Sequence, residues 1–300
     1  MGGRHRCRLP QPSMSRRRAL GVRSRGKMDI GILGPLTVGS AGREAAPTAP
    51  KPRQLLALLA ARTGHVVPME VLVDELWEHD PPASAVTVIQ TYIVLLRRSL
   101  AATLQLSTEG VAQDVLPYTG WGYQLLLQDE GVHDADSFAR HTEQGRRELA
   151  DGDYQRATMS FQRALQIWRG PALADVRIGP QLLAYRTSLE ESRTVAVEQR
   201  IEADLHLGRH LQLIGELSGL VVQDPLHERT HSLLMVSQYR SGRPAQALET
   251  FRRLHKNLRE ELGIEPSPHV RKIHQRILSG DTSLLLPTED CLDPSRKSAA

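Results

Sequence analysis

Ser84-Ala85-Val86-Thr87-Val88-Ile89-Gln90-Thr91-Tyr92-Ile93-Val94-Leu95-Leu96-Arg97-Arg98-Ser99-Leu100 is the stretch whose reading decides the fold. Ile89, Ile93, Leu96 and Leu100 recur at helical spacing and predict one apolar stripe turned to a core. At about 100° per residue, Thr87, Thr91, Val94 and Arg98 point away from that stripe, with Gln90 and Arg97 on one flank and Leu95 on the other. Asp80-Pro81-Pro82 breaks the chain ahead of this helix, and Ser84 stands where an N-cap is needed. Two arginines, a glutamine and two threonines on a face with no core to meet suit DNA.

The flanking segments supply a small domain. Asp29 to Val38 alternates as one or two short strands, and the Gly and Ala residues after it predict a turn. Lys51-Pro52-Arg53 starts a helix that runs to Arg62 and stops at Gly64; Pro68 precedes a second helix, Met69 to Trp77. Val115 to Leu127, with Gly120-Trp121-Gly122-Tyr123, reads as strands around a glycine turn. Small sheets, three helices and a terminal hairpin are the order of a winged helix.

Charge qualifies the DNA reading. The 300 residues carry a net +4, enough length for about two domains. Residues 1–27 hold nine basic side chains and no acid, so all the excess lies in a Gly, Pro and Arg-rich leader that builds no core. Residues 28–127 set six basic side chains against nine acidic ones, a net −3. Any DNA contact by this region therefore rests on where a few cations cluster, not on bulk charge. Cys7 and Cys291, near opposite termini, support neither a disulfide framework nor a zinc site, and a reducing cytoplasm fits. The longest apolar run, around Leu55 to Ala61, falls short of the ~18 residues a membrane span needs, and Ser15-Arg16-Arg17-Arg18 lacks the apolar region of an export signal.

The second half is organised by spacing. Gly152 is followed by Ala157, Phe161 and Ala164 at plus five, nine and twelve; Gly208 by Leu213, Leu217 and Leu220; Gly242 by Ala247, Phe251 and Leu254. Gly208 to Gly242 is the 34-residue tetratricopeptide period, and the longer gap from Gly152 leaves room for an insertion around Gly170-Pro171 to Gly179-Pro180. Stacked helical hairpins over residues 134–279 follow, with Trp168 packed between repeats and a polar, disordered tail at 280–300.

Catalytic signatures are missing from the sequence: no GxxxxGK[ST] loop, no GxGxxG after a strand, no GxSxG elbow. His206 with His210 and His227 with His231 have i, i+4 spacing without an HExxH glutamate, so no metal or other cofactor is expected. Acidic side chains sit on amphipathic helices, where a solvated face is the default.

Leu72-Val73-Asp74-Glu75-Leu76-Trp77, Asp80-Pro81-Pro82, Val88-Ile89-Gln90-Thr91-Tyr92-Ile93 with Leu96-Arg97-Arg98, and Gly122-Tyr123 follow one another in an order and spacing that resemble the DNA-binding half of Streptomyces antibiotic regulatory proteins, a winged helix of the OmpR and PhoB type. Phe138-Ala139-Arg140, Leu165 to Leu173, Arg200 to Leu205 and Glu261 to Pro268 resemble the bacterial transcriptional activation domain of the same family. Together the resemblances cover nearly all of residues 28–280. They imply a mainly α chain: a basic tail (1–27), a winged helix (28–127), an all-α tetratricopeptide-like domain (134–279) and a second tail (280–300).

The resemblance also implies roles. The helix from Ser84 enters the major groove, and the hairpin near Gly120 lies along the adjacent backbone or minor groove. Lys51, Arg53, the indole of Trp77 and Arg97 face phosphates; Thr87, Gln90, Thr91, Val94, Leu95 and Arg98 are the base-edge candidates. A Gln amide pairs with adenine, an Arg fork with guanine, and Val, Leu or a Thr methyl packs on thymine methyls. Two positions depart from the family: Leu95, where many relatives are polar or basic, and Thr119, where the wing commonly offers an arginine. Fewer phosphate contacts mean a shallower salt dependence.

The expected work is that of a pathway-specific activator of a secondary-metabolite gene cluster, not an enzyme. It binds direct repeats in promoter DNA as side-by-side protomers and recruits RNA polymerase, at the nucleoid in the cytoplasm, with no membrane and no small-molecule substrate. The alternatives are a tetratricopeptide adaptor whose degenerate winged helix uses Val94 and Leu95 as a protein contact, and a repressor using the same DNA contacts.

Overall fold

The computed structural model describes residues 27–127 and 131–285. Of the tails expected at 1–27 and 280–300, residues 1–26 and 286–300 lie outside the described residues. A four-stranded sheet opens the fold: β1 (Asp29–Gly31), β2 (Thr37–Ser40) and β3 (Arg43–Glu44) run antiparallel, and β6 (Val132–His133) joins β1 in parallel. Helix α1 (Pro50–Ala61) is apolar nearly all round and buried from Gln54 to Ala60, so it forms the centre of the first domain. Helix α2 (Met69–Trp77) and helix α3 (Ala85–Leu104) pack on it.

Helix α3 bears out the apolar stripe. Ile89, Ile93, Leu96, Leu100 and Leu104 are each at most 2% exposed, and burying each contributes about 2 kcal/mol. The helix runs one turn beyond Leu100 and ends on Gln105 in the left-handed conformation. Ser84 occupies the N-cap position, but its side chain accepts no hydrogen bond there, correcting the expected cap. By length and composition alone α3 is long and apolar enough to cross a membrane, as the Leu55–Ala61 run is not; its apolar stripe is packed in the domain core.

Among the elements absent from the sequence reading, two lie within the winged helix. A seven-residue helix, α4 (Thr108–Asp114), is capped by Ser107, whose Oγ accepts from Gly110 N at 3.0 Å. A short strand, β4 (Val66–Pro68), pairs antiparallel with β5 (Gly122–Gln124) to form the wing. Gly122 is forced by this pairing, since a Cβ there would stand 2.2 Å from the Val67 carbonyl oxygen.

The rest is helical: α5 (Asp134–Ala150), α6 (Tyr154–Gln166), α7 (Pro180–His206), α8 (His210–Gln223), α9 (Glu228–Arg240), α10 (Pro244–Glu261) and α11 (Pro268–Leu278). The three spaced glycines each end the first helix of a hairpin. Gly152, Gly208 and Gly242 have φ of 78°, 75° and 73°, and the following N–H groups of Asp153, Arg209 and Arg243 bond to carbonyls five residues back. One left-handed C-terminal motif thus recurs three times, a conformation that glycine adopts without strain. Trp168 is 8% exposed, edge-on to Phe138 at 5.5 Å, as expected of a residue packed between repeats. The tail expected from 280 is corrected at its start: Thr282–Leu285 forms a 3-10 turn with Leu284 fully buried.

The largest difference from the sequence reading is where the cores divide. One core extends from Met28 through the winged helix into α5, α6 and one side of α7 as far as Ala203; a second begins at Ile201 and ends at Leu284. The segment around the expected insertion, Gly170-Pro171 to Gly179-Pro180, folds back onto the first sheet: Arg169 N donates to Leu33 O at 2.8 Å and Leu173 N to Ile32 O at 3.0 Å. Asp134 Oδ2 accepts from Leu33 N at 2.9 Å, and Asp175 Oδ1 from Leu36 N at 2.8 Å. Gly34 makes room for this seam, because a Cβ there would lie 2.8 Å from that of Arg169.

Glu75 fastens the seam. It is 1% exposed, and its carboxylate accepts from Gly179 N (2.8 Å), Gln181 N (2.9 Å) and Leu182 N (3.1 Å), the free donors at the start of α7. Gln54 donates to it from α1 at 3.1 Å. With Glu202 and Asp204 also buried in ion pairs to Arg229 and Arg200, the expectation that acidic side chains line solvated faces is corrected at these positions.

Candidate nucleic-acid interface

The outward face of α3 is uncovered among the described residues. Thr87, Gln90, Thr91, Val94, Leu95 and Arg98 are all exposed and share it with Val86. Val94 is 42% and Leu95 48% exposed, high for side chains with so little polar character. Thr91 Oγ1 donates back to Thr87 O at 3.0 Å. Arg98 makes no hydrogen bond or ion pair among the described residues and is the cation most available on this face.

Arg97 takes another role. Its Nε and Nη2 donate to Leu116 O at 3.1 and 2.8 Å, and its guanidinium lies 5.7 Å from the centre of the Tyr123 ring. It braces α3 against the hairpin, a structural partner beside the phosphate contact expected of it. Tyr123 is 6% exposed; burial raises its phenol pKa, with the Arg97 charge opposing.

Arg53 is likewise engaged within the protein. Its guanidinium donates to Pro47 O (3.1 Å) and Leu36 O (2.7 Å) and pairs with Asp175 across the seam. Lys51, at the start of the same helix, holds its ammonium 4.4 Å from the centre of the Trp77 ring, a cation–π contact between the ends of α1 and α2. Both are half-buried, which leaves each a side open to a phosphate.

At the wing tip, Thr119 N and Oγ1 both donate to Gly122 O, at 3.0 and 3.3 Å, so this hydroxyl closes the turn. The exposed groups are instead two aromatics that the sequence reading left unassigned: Tyr118 at 54% and Trp121 at 59%. Tyr118 donates its hydroxyl to Gly120 O and stacks at a tilt on Tyr123, 5.2 Å away. Met69 N donates to Trp121 O at 3.1 Å, fixing the backbone that presents the indole. A signal was available, since a tryptophan between two glycines in a turn has no neighbours to bury it.

No group of three or more metal-ligating side chains occurs among the described residues. The spaced histidines have structural partners: His227 caps α9 through Thr230 N, and His206 stacks on Tyr154 at 4.1 Å.

An exposed helix beside a two-stranded wing, joined to stacked helical hairpins, defines a winged-helix transcriptional regulator with a helical activator domain. Residues 43–125 match the model of the transcriptional regulatory protein C-terminal domain, and residues 133–278 that of the bacterial transcriptional activator domain. The regulatory protein DnrI of Streptomyces peucetius is 44% identical over 257 residues, which span 86% of this chain and 94% of that protein. The transcriptional regulator RedD of Streptomyces coelicolor is 36% identical over 264 residues, 88% of this chain and 74% of that protein. Among solved structures, EmbR of Mycobacterium tuberculosis in complex with a low affinity phosphopeptide is similar with a TM-score of 0.79 and 30% identity, covering 89% of this chain and 67% of that one. The chain belongs to the Streptomyces antibiotic regulatory protein family.

Proposed function

We propose that this chain activates transcription of a secondary-metabolite gene cluster by reading direct repeats in promoter DNA with α3. The observation that carries the reading is the uncovered α3 face, where Thr87, Gln90, Thr91, Val94, Leu95 and Arg98 stand together beside the wing. Gln90 and Arg98 supply hydrogen-bonding edges, and Val94 with Leu95 an apolar strip for thymine methyls. Lys51 and Trp77 lie against one strand of the backbone; Tyr118 and Trp121 carry the wing's contact through ring faces rather than charge. Protomers side by side on the repeats present their helical domains to RNA polymerase, so recruitment is by effective concentration at the promoter. The reading gives the chain no catalytic step and places it at the nucleoid.

The net −3 of residues 28–127 is the observation that favours the adaptor alternative. Footprinting the purified chain on the intergenic regions beside its own gene separates the readings. Activation predicts two adjacent protected segments in direct repeat, spaced by about one or more helical turns of 10–11 base pairs and lying upstream of the promoter. Protection over the promoter itself identifies a repressor. An adaptor gives no protection at any salt concentration, which would contradict the proposal.

A further inference from the structure

Glu190, Arg193, Val197, Glu198 and Ile201 lie along one face of α7, and with Leu220 of α8 and Leu233 of α9 they line a cavity of about 440 Å³. That volume falls within the ~300–1,000 Å³ of small-molecule pockets. Val197, Ile201, Leu220 and Leu233 make its apolar part. Glu198 Oε1 is buried and accepts no hydrogen bond among the described residues. The nearest ring nitrogen is His227 Nε2, 3.5 Å away, and the other nitrogen of that ring is engaged with Thr230 in the cap of α9. Burial raises the Glu198 carboxyl pKa, with His227 and Arg229 opposing and Glu191 adding to the rise.

The cavity's own cation does not neutralise this oxygen. Arg193 lies over the Trp168 ring, 4.7 Å from its centre, and 3.7 Å from Glu190. The cavity mixes Glu198 and other polar side chains with an apolar patch, a lining that suits a hydrogen-bond donor attached to hydrocarbon. We propose that this cavity binds a small apolar molecule carrying an amine, whose N–H groups donate to Glu198 while its hydrocarbon part lies on Val197, Ile201, Leu220 and Leu233. The first turn of the same helix is held by Glu75 of the winged helix, so α7 joins the ligand's wall to the DNA-facing domain.

Titrating the full chain with 4-phenylbutylamine, followed by calorimetry and ligand-observed NMR, tests this directly. Saturable binding with a Kd below about 1 mM is expected, in keeping with the size of the probe. The size-matched acid 4-phenylbutyrate should bind about 10-fold weaker or not at all, and Glu198→Gln should weaken the amine by about 10-fold. Thr194 is exposed at the mouth of the cavity, so Thr194→Trp should block binding without disturbing the fold. Equal binding of acid and amine, or undiminished amine binding to both variants, would overturn the proposal. So would the absence of saturable amine binding up to about 10 mM, the result expected if a protein segment covers the groove.

Discussion

Arg98→Glu is expected to weaken binding to promoter DNA by about 100-fold while leaving the melting temperature of the protein unchanged. Arg98 is exposed on α3 and has no partner among the described residues, so its replacement removes nothing from the fold. In the proposed complex it is a base-edge or phosphate contact worth about 1–3 kcal/mol, and the reversed charge adds repulsion from the backbone. The loss is large because residues 28–127 are already net negative and few other cations share the surface. Electrophoretic mobility shift at fixed salt reads the affinity, and thermal denaturation reads the fold. Arg97→Ala makes the contrast: it releases Leu116 O from its clamp, so it should lower stability before it alters base preference.

Glu75→Ala is expected to destabilise the whole chain by about 3 kcal/mol, since it strands several buried donors at once. The N–H groups of Gly179, Gln181 and Leu182 and the amide of Gln54 all donate to the carboxylate that is removed. A buried negative charge at the positive end of the 27-residue α7 is lost with them. For a protein of this size the corresponding fall in melting temperature is about 6–10 °C. A fall under about 2 °C would mean the seam is not held there. Because Glu75 ties α2 to α7, the account also expects the two halves to melt together rather than in separate steps.

What was legible in the sequence was local. The Ile89, Ile93, Leu96, Leu100 stripe predicted α3 because its period is a property of the helix alone, and the glycines at 152, 208 and 242 marked turns for the same reason. The long-range contacts were not legible. Arg53 reads as a free cation at a helix start until Asp175, 122 residues away, is brought beside it. Glu75 reads as a solvated acid until the start of α7 is placed against it. The wing strand Val66–Pro68 is three residues long, too short to show a period, and is defined only by its pairing with Gly122–Gln124. Of the site, the α3 face was readable residue by residue; Trp121 carried a signal in its two flanking glycines, whereas the exposure of Tyr118 was not legible, because an aromatic residue in a hairpin is ordinarily read as core.

The central claim is that the face of α3 carrying Val94 and Leu95 meets base edges in the major groove. The most direct measurement places a photo-crosslinking amino acid at position 94 of the full chain and irradiates it on promoter DNA containing the protected repeats. Crosslinks to bases within each repeat, suppressed by excess unlabelled promoter, are the predicted result. DNA that binds and is protected while position 94 crosslinks only to protein would contradict it.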